Sequence, residues 1–146
     1  MPGPGPGARP LHHVGVVVPE LGAVQRVLGV ALGLTLSEPE PYPELGIEVQ
    51  WAHAGPVPVE VIRPLHAGSR AAALLRAGGG GVHHLAFAVD DLDRTLDDAR
   101  AAGVALLDAV PRAGTHGSRI AFLDPASAAG TLIELIEPAT HGLCES

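Results

Sequence analysis

The chain contains the same segment twice, and that repetition constrains its fold more than any other feature. "LHHVGVVVPEL" at 11–21 returns as "VHHLAFAVDDL" at 82–92, with a His-His pair, an apolar run and a Leu at equivalent places. Further on, "VEVIRP" at 59–64 returns as "IELIEP" at 133–138, each with a carboxylate, alternating apolar residues and a closing proline. A segment that recurs in this way is one supersecondary unit used twice, each copy burying an apolar face that it cannot bury alone.

Each copy reads as a strand, a helix and then three strands. In the first, the strand spans about 11–18 and the helix 20–31, weakened by Gly22 and Gly29, with strands near 33–37, 46–53 and 57–63. In the second, a strand at 82–89 leads into a helix that Asp90 or Asp91 can cap and Gly103 stops, followed by strands near 104–109, 118–124 and 131–137. Between the copies, "GSRAAALLRAGGGG" predicts a short helix capped by Ser69 and then a glycine hinge. The expected organisation is a flexible tail at 1–9, a single domain at 10–138 and a C-terminal tail at 139–146. Its modules cover about 10–66 and 82–138, joined by a linker at 67–81.

Composition narrows the partners. With 16 acidic residues against nine arginines and no lysine, a formal charge of −7 argues against nucleic acid and leaves a small molecule or a protein. At 47% apolar and 17% charged the chain is globular in character, and no apolar run approaches a membrane span. "MPGPGPGARP" lacks the apolar core of a signal peptide, and the one cysteine, Cys144, cannot form an internal disulfide, so the cytoplasm is the expected location.

The histidine pairs carry the chemistry. Adjacent strand residues point to opposite faces, so His13 lies with Gly15 and Val17, and His84 with Ala86 and Ala88. His12 and His83 fall on the faces of larger residues, which predicts packing against a helix. A single histidine at the edge of an apolar strand is more often structural than functional, and a single Glu60 or Glu134 can be satisfied by an arginine. Four equivalent polar groups, His13, Glu60, His84 and Glu134, are costly to bury without partners, and one divalent cation satisfies them together. Imidazole and carboxylate suit Co, Mn, Fe, Ni or Zn.

One His and one Glu from each of two βαβββ modules resemble the vicinal oxygen chelate (glyoxalase/bleomycin resistance/dioxygenase) superfamily. "GGVHHLAFAVDDLD" at 80–93, "PRAGTHGSRIAFLDP" at 111–125 and "GTLIELIEP" at 130–138 are similar to its methylmalonyl-CoA epimerase family. The resemblance implies an α+β fold, in which two βαβββ modules form a cupped eight-stranded mixed sheet around a metal. It also implies one divalent ion per chain, with cobalt favoured, on His13, Glu60, His84 and Glu134. The implied reaction is inversion at C2 of methylmalonyl-CoA through an enolate, with Glu134 as one base. For the second base, the family's glutamate falls at Val49, so the neighbouring Glu48 and the repeat-related Glu60 are the candidates. Some epimerases carry Gln in place of Glu60. The family's "HPK" reads "DPA" here at 124–126, which leaves Arg63 and Arg119, then Arg70 and Arg112, as candidates for coenzyme A phosphates. A solvated or salt-bridged surface role competes for each of these arginines. Glyoxalase I shares the His, Glu, His, Glu set, although "FLDPASAAGTLIEL" is longer than the glyoxalase connection. A ring-cleaving dioxygenase uses two His and one carboxylate, and a binding protein of this fold normally lacks the ligands. His116 has a solvated-loop reading beside a substrate-contact one; His53, His66 and His141 read as surface. Exposed sheet edges and the habit of the family imply a homodimer.

Overall fold

The structure, a computed structural model, describes residues 9–139; Cys144, His141 and most of both proposed tails lie outside the described residues. The fold is α+β and built from two βαβββ modules, as the repeat predicts. Residues 13–84 make one compact unit, and the chain on either side of that stretch makes the other.

The first module contains β1 (Leu11–Val17), β2 (Thr35–Leu36), β3 (Glu40–Tyr42), β4 (Ile47–His53) and β5 (Val59–Pro64). Their order is β2-β4-β5-β1, with β5 parallel to β1 and antiparallel to β4. The three-residue β3, absent from the sequence expectation, pairs with β4 after a turn that ends at Gly46 with φ 69°. Pro41 fits β3 because an edge strand does not need its missing N–H. The first helix, α1 (Leu21–Val24), runs on into a π-helical segment, Gln25–Ala31. Its inner side packs Leu21, Val24 and Leu28 on Val16, Val59 and Val61. The opposite face of the sheet packs Val17, Val49 and Ile62 against Ala71, Leu74 and Leu75 of α2 (Arg70–Arg76). Ser69 caps α2 as expected, its hydroxyl accepting from the Ala72 N–H at 3.1 Å.

The second module contains β6 (Gly81–Ala88), α3 (Leu92–Ala101), β7 (Arg112–Ala113), β8 (Arg119–Phe122) and β9 (Ile133–Glu137), in the order β6-β9-β8-β7. Asp91 is the cap of α3, accepting from the Arg94 N–H at 3.1 Å, and Gly103 takes φ 81° just past the helix end. Leu92 and Leu96 are fully buried against Val89, Ala121 and Leu135. The strand expected at 104–109 does not form. Asp108 Oδ2 accepts the Phe122 N–H at 2.8 Å, so a side chain takes the place of a ladder carbonyl, and Leu106 keeps only an isolated bridge to Leu123. Pairing resumes at β7, beyond Pro111.

Each module therefore has one face covered by its own helix. His12 and His83 share that face by alternation with Val14 and Val16, and with Leu85 and Phe87, as the size pattern predicts. The other face carries a carboxylate.

Candidate metal centre

Register places the carboxylates identically in the two modules. Glu60 on β5 is flanked by Gly15 on β1 and Trp51 on β4. Glu134 on β9 is flanked by Ala86 on β6 and Phe122 on β8. Gly15 and Ala86 lie two residues beyond His13 and His84, so each Glu shares a strand face with the histidine of its own repeat. All four are withdrawn from water: His13 is 1% exposed, His84 3%, Glu134 5% and Glu60 6%.

Three of these side chains meet within residues 13–84. His13 Nε2 lies 3.1 Å from His84 Nε2, and Glu60 Oε1 lies 3.6 Å from the first and 3.7 Å from the second. Ligand bonds of about 2.0–2.2 Å on one ion set neighbouring donor atoms roughly 3.0–3.4 Å apart. The two imidazole nitrogens at 3.1 Å fall in that range and Glu60 Oε1, at 3.6 and 3.7 Å, lies a few tenths of an ångström beyond it. The donor set is two imidazole nitrogens and a carboxylate oxygen, a borderline set that first-row divalent ions accept. The residues present therefore fit a metal.

The surroundings hold the rings. Trp51 meets His13 edge to face, with centroids 5.1 Å apart and planes at 90°, and His84 meets His13 at 5.2 Å and 84°. A Cβ built on Gly15 would overlap the edge of the His84 imidazole. The space that the missing side chain of Gly15 leaves on this face is filled by His84. His83 also departs from the packing role expected of it: its Nδ1 lies 2.8 Å from His84 Nδ1. Burial pulls His12 below the ordinary histidine range, and the nearby carboxylate of Glu134 partly offsets this. Sequence reasoning missed the roles of Gly15 and Trp51, which lie in contacts across strands, and that of His83, whose ring meets the adjacent His84 although alternation sends the two to opposite faces.

The remaining candidates lie elsewhere. Glu48 pairs in register with Arg63, the third pair beyond the Glu60–Trp51 pair, and so faces the opposite side of the sheet from Glu60. Its Oε1 accepts from Arg63 Nε at 2.6 Å. Val49, on the Glu60 face, is 1% exposed in the core beside Val17 and Ile62. Arg119 is exposed and bonded to Asp93 at 3.0 Å and to Glu137 at 3.2 Å, which holds its guanidinium charged. Arg112 bonds Asp108 at 3.3 Å and covers the Phe122 ring at 5.4 Å, while Arg70 is exposed at the start of α2. His53 and His66 are exposed, in keeping with a surface reading. His116 is exposed as well, and it adopts φ 53° in the turn before β8, a backbone state uncommon outside glycine.

The chain is similar to known proteins over most of its length. The chain is 33% identical over 137 residues to the mitochondrial methylmalonyl-CoA epimerase of Bos taurus, covering 89% of this chain and 78% of that protein. A hypothetical protein from Bacillus halodurans superposes with a TM-score of 0.88 at 28% identity, covering 92% of this chain and 98% of the other. The Streptomyces coelicolor methylmalonyl-CoA epimerase, in a variant complexed with 2-nitronate-propionyl-CoA, superposes with a TM-score of 0.79 at 31% identity, covering 90% of this chain and 95% of the other. Residues 12–122 match the Glyoxalase/Bleomycin resistance protein/Dioxygenase superfamily. By the repeated fold, the buried His-Glu pairs and these similarities, the chain belongs to that superfamily.

Proposed function

We propose that the chain is an isomerase, a metal-dependent epimerase that inverts C2 of methylmalonyl-CoA. The observation that carries this reading is the convergence of His13, His84 and Glu60 in a buried site, in a chain similar to epimerases over most of its length. Glu134 joins that set as the repeat counterpart of Glu60. His13, Glu60, His84 and Glu134 would hold a divalent ion, which would supply Lewis-acid stabilisation of the negative charge that develops on the thioester oxygen. Co, Mn, Ni, Zn and Fe all suit these donors, with cobalt favoured by the family resemblance.

The side chains move the proton. A carboxylate oxygen of Glu134 takes the C2 proton as the C–H bond breaks, and its electron pair passes into the adjacent thioester carbonyl to give the enolate. Inversion then requires a proton from the opposite face. Glu60 is the candidate donor, because it is buried on the ligand-bearing face of its module whereas Glu48 faces away and is engaged by Arg63. The apolar walls around both carboxylates keep water from reprotonating C2 without stereochemical control. For the phosphates of coenzyme A, Arg63 and Arg119 remain the candidate cations, and each would share its guanidinium with the acidic partners it already holds. The same reading takes the protein to act in the cytoplasm as a homodimer; among the described residues no helix is long and apolar enough to cross a membrane.

The test is to incubate the metal-reconstituted protein with a single epimer of methylmalonyl-CoA in deuterated water, following inversion and C2 deuterium uptake by NMR. Metal-dependent inversion with exchange is expected. A fully metallated protein that gives neither would move the substrate away from methylmalonyl-CoA, and hemithioacetals would be tried next.

A further inference from the structure

The two ring nitrogens of His84 face different neighbours. Nε2 points at the ligand set, 3.1 Å from His13 Nε2 and 3.7 Å from Glu60 Oε1, while Nδ1 lies 2.8 Å from Nδ1 of His83. The His83 and His84 rings stand nearly perpendicular, at 86° with centroids 5.0 Å apart. Strand alternation sends the two Cβ atoms to opposite faces, so this approach requires both rings to turn toward their shared backbone. We infer that His83 is a positioning residue that holds His84 through its Nδ1 and so leaves His84 Nε2 as the metal-facing atom. The inference rests on the metal-site reading above and adds to it a residue that does not touch the ion.

The chemistry follows from proton inventory. A neutral imidazole carries one N–H, on Nδ1 or on Nε2, and only the unprotonated nitrogen can coordinate. When His84 donates Nδ1–H to the Nδ1 lone pair of a neutral His83, its Nε2 lone pair is directed at the ligand set. Metal-binding histidines are commonly fixed in this way by a second hydrogen-bonding partner, and losing that partner typically weakens binding about 10–100-fold. At 3% exposure, His84 has little access to solvent that could substitute for it. Gly15 fixes the ring from the other side, since only a residue without Cβ leaves the space that the imidazole fills.

The experiment is a side-chain proton–nitrogen correlation spectrum of the histidines in the full chain, metal-free and zinc-loaded, with zinc affinity measured by chelator competition. In the metal-free wild type, His84 is expected to carry its proton on Nδ1. His83→Ala should give a mixture of His84 tautomers and bind zinc about 10–100-fold more weakly. His83→Asn, which returns a polar atom near the Nδ1 position, should restore the tautomer and most of the affinity. A merely structural role would lower thermal stability without moving the tautomer. His84 protonated on Nε2 in the metal-free wild type would overturn the inference with no variant needed. An Ala variant unchanged in tautomer and affinity, or an Asn variant no better than Ala, would do the same. A tautomer that depends on His83 in a protein that binds no zinc would support the positioning role and count against the metal reading alone.

Discussion

Around Glu60 and Glu134 the two modules build one neighbourhood from different residues. The small neighbour is Gly15 in the first and Ala86 in the second; the aromatic neighbour is Trp51 in the first and Phe122 in the second. What stays constant is a buried carboxylate in register with the second residue after a buried histidine. What varies is set by local packing: Gly15 must be glycine because the His84 ring lies where its side chain would be, whereas Ala86 is buried in an apolar cluster with Ile120 and Ile136. The repeat thus preserves the polar groups and lets their supports diverge.

The largest expected effect tests whether the two carboxylates are as equivalent in chemistry as in register. Glu134→Gln should lower inversion by roughly 10²–10⁴-fold, the usual contribution of a positioned acid–base group. Glu60→Gln should lower inversion as well, yet keep deuterium exchange into the one epimer whose C2 proton faces Glu134. Following both epimers by NMR separates these outcomes. If Glu60→Gln inverts normally, Glu60 is a ligand only, and the carboxylates differ in role despite their shared register.

Next in size is the contrast at the small neighbours. Gly15→Ala should displace His84, destabilise the fold by about 1–3 kcal/mol through overpacking, and weaken metal binding as well. The reciprocal change, Ala86→Gly, removes a methyl and adds backbone freedom within a strand, for about 0.5–1 kcal/mol and little effect on the metal. Denaturant unfolding and metal titration of both variants check the pair. Equal effects on metal affinity would mean that the asymmetry at Gly15 has no bearing on the site.

The helices that cover the two modules differ in how tightly they are packed. Leu96 on α3 is 1% exposed, so Leu96→Ala should cost about 3–4 kcal/mol. Leu28 lies in the π-helical run after α1 and is only half-buried, so Leu28→Ala should cost closer to 1–2 kcal/mol. Urea midpoints at constant m-value would measure both, and a reversed order would show the first helix to be the better anchored.

Much of this arrangement was legible in the sequence where the information is periodic. Strand alternation alone separates His13 from His12 and His84 from His83, and it places Glu48 one residue out of phase with the face that Val49 occupies. Information that depends on a partner far along the chain was not legible. Nothing near Gly15 announces that His84 will lie over it. Nor does "GVALLDAV" at 103–110, apolar enough for a strand, reveal that Asp108 will capture the Phe122 N–H and interrupt the ladder. Side chains that replace backbone partners break the period-two pattern without changing composition, and so they leave no local signal. The His83–His84 contact is hidden by the same alternation rule that made the ligand face readable.

The smallest effect is at the helix starts, where the sequence reading was clearest. Asp91 accepts from the Arg94 N–H and Asp93 adds a negative charge to the first turn of α3, whereas Glu20 stands at the start of α1 with no side-chain cap. Removing a working cap leaves a helix donor unsatisfied, so Asp91→Ala should cost about 1 kcal/mol. Glu20→Ala removes no cap hydrogen bond and should change stability by no more than about 0.5 kcal/mol. Paired melts would resolve this difference. A Glu20 effect as large as that of Asp91 would mean that α1 draws on its N-terminal carboxylate through the helix dipole rather than a hydrogen bond, which salt would then screen.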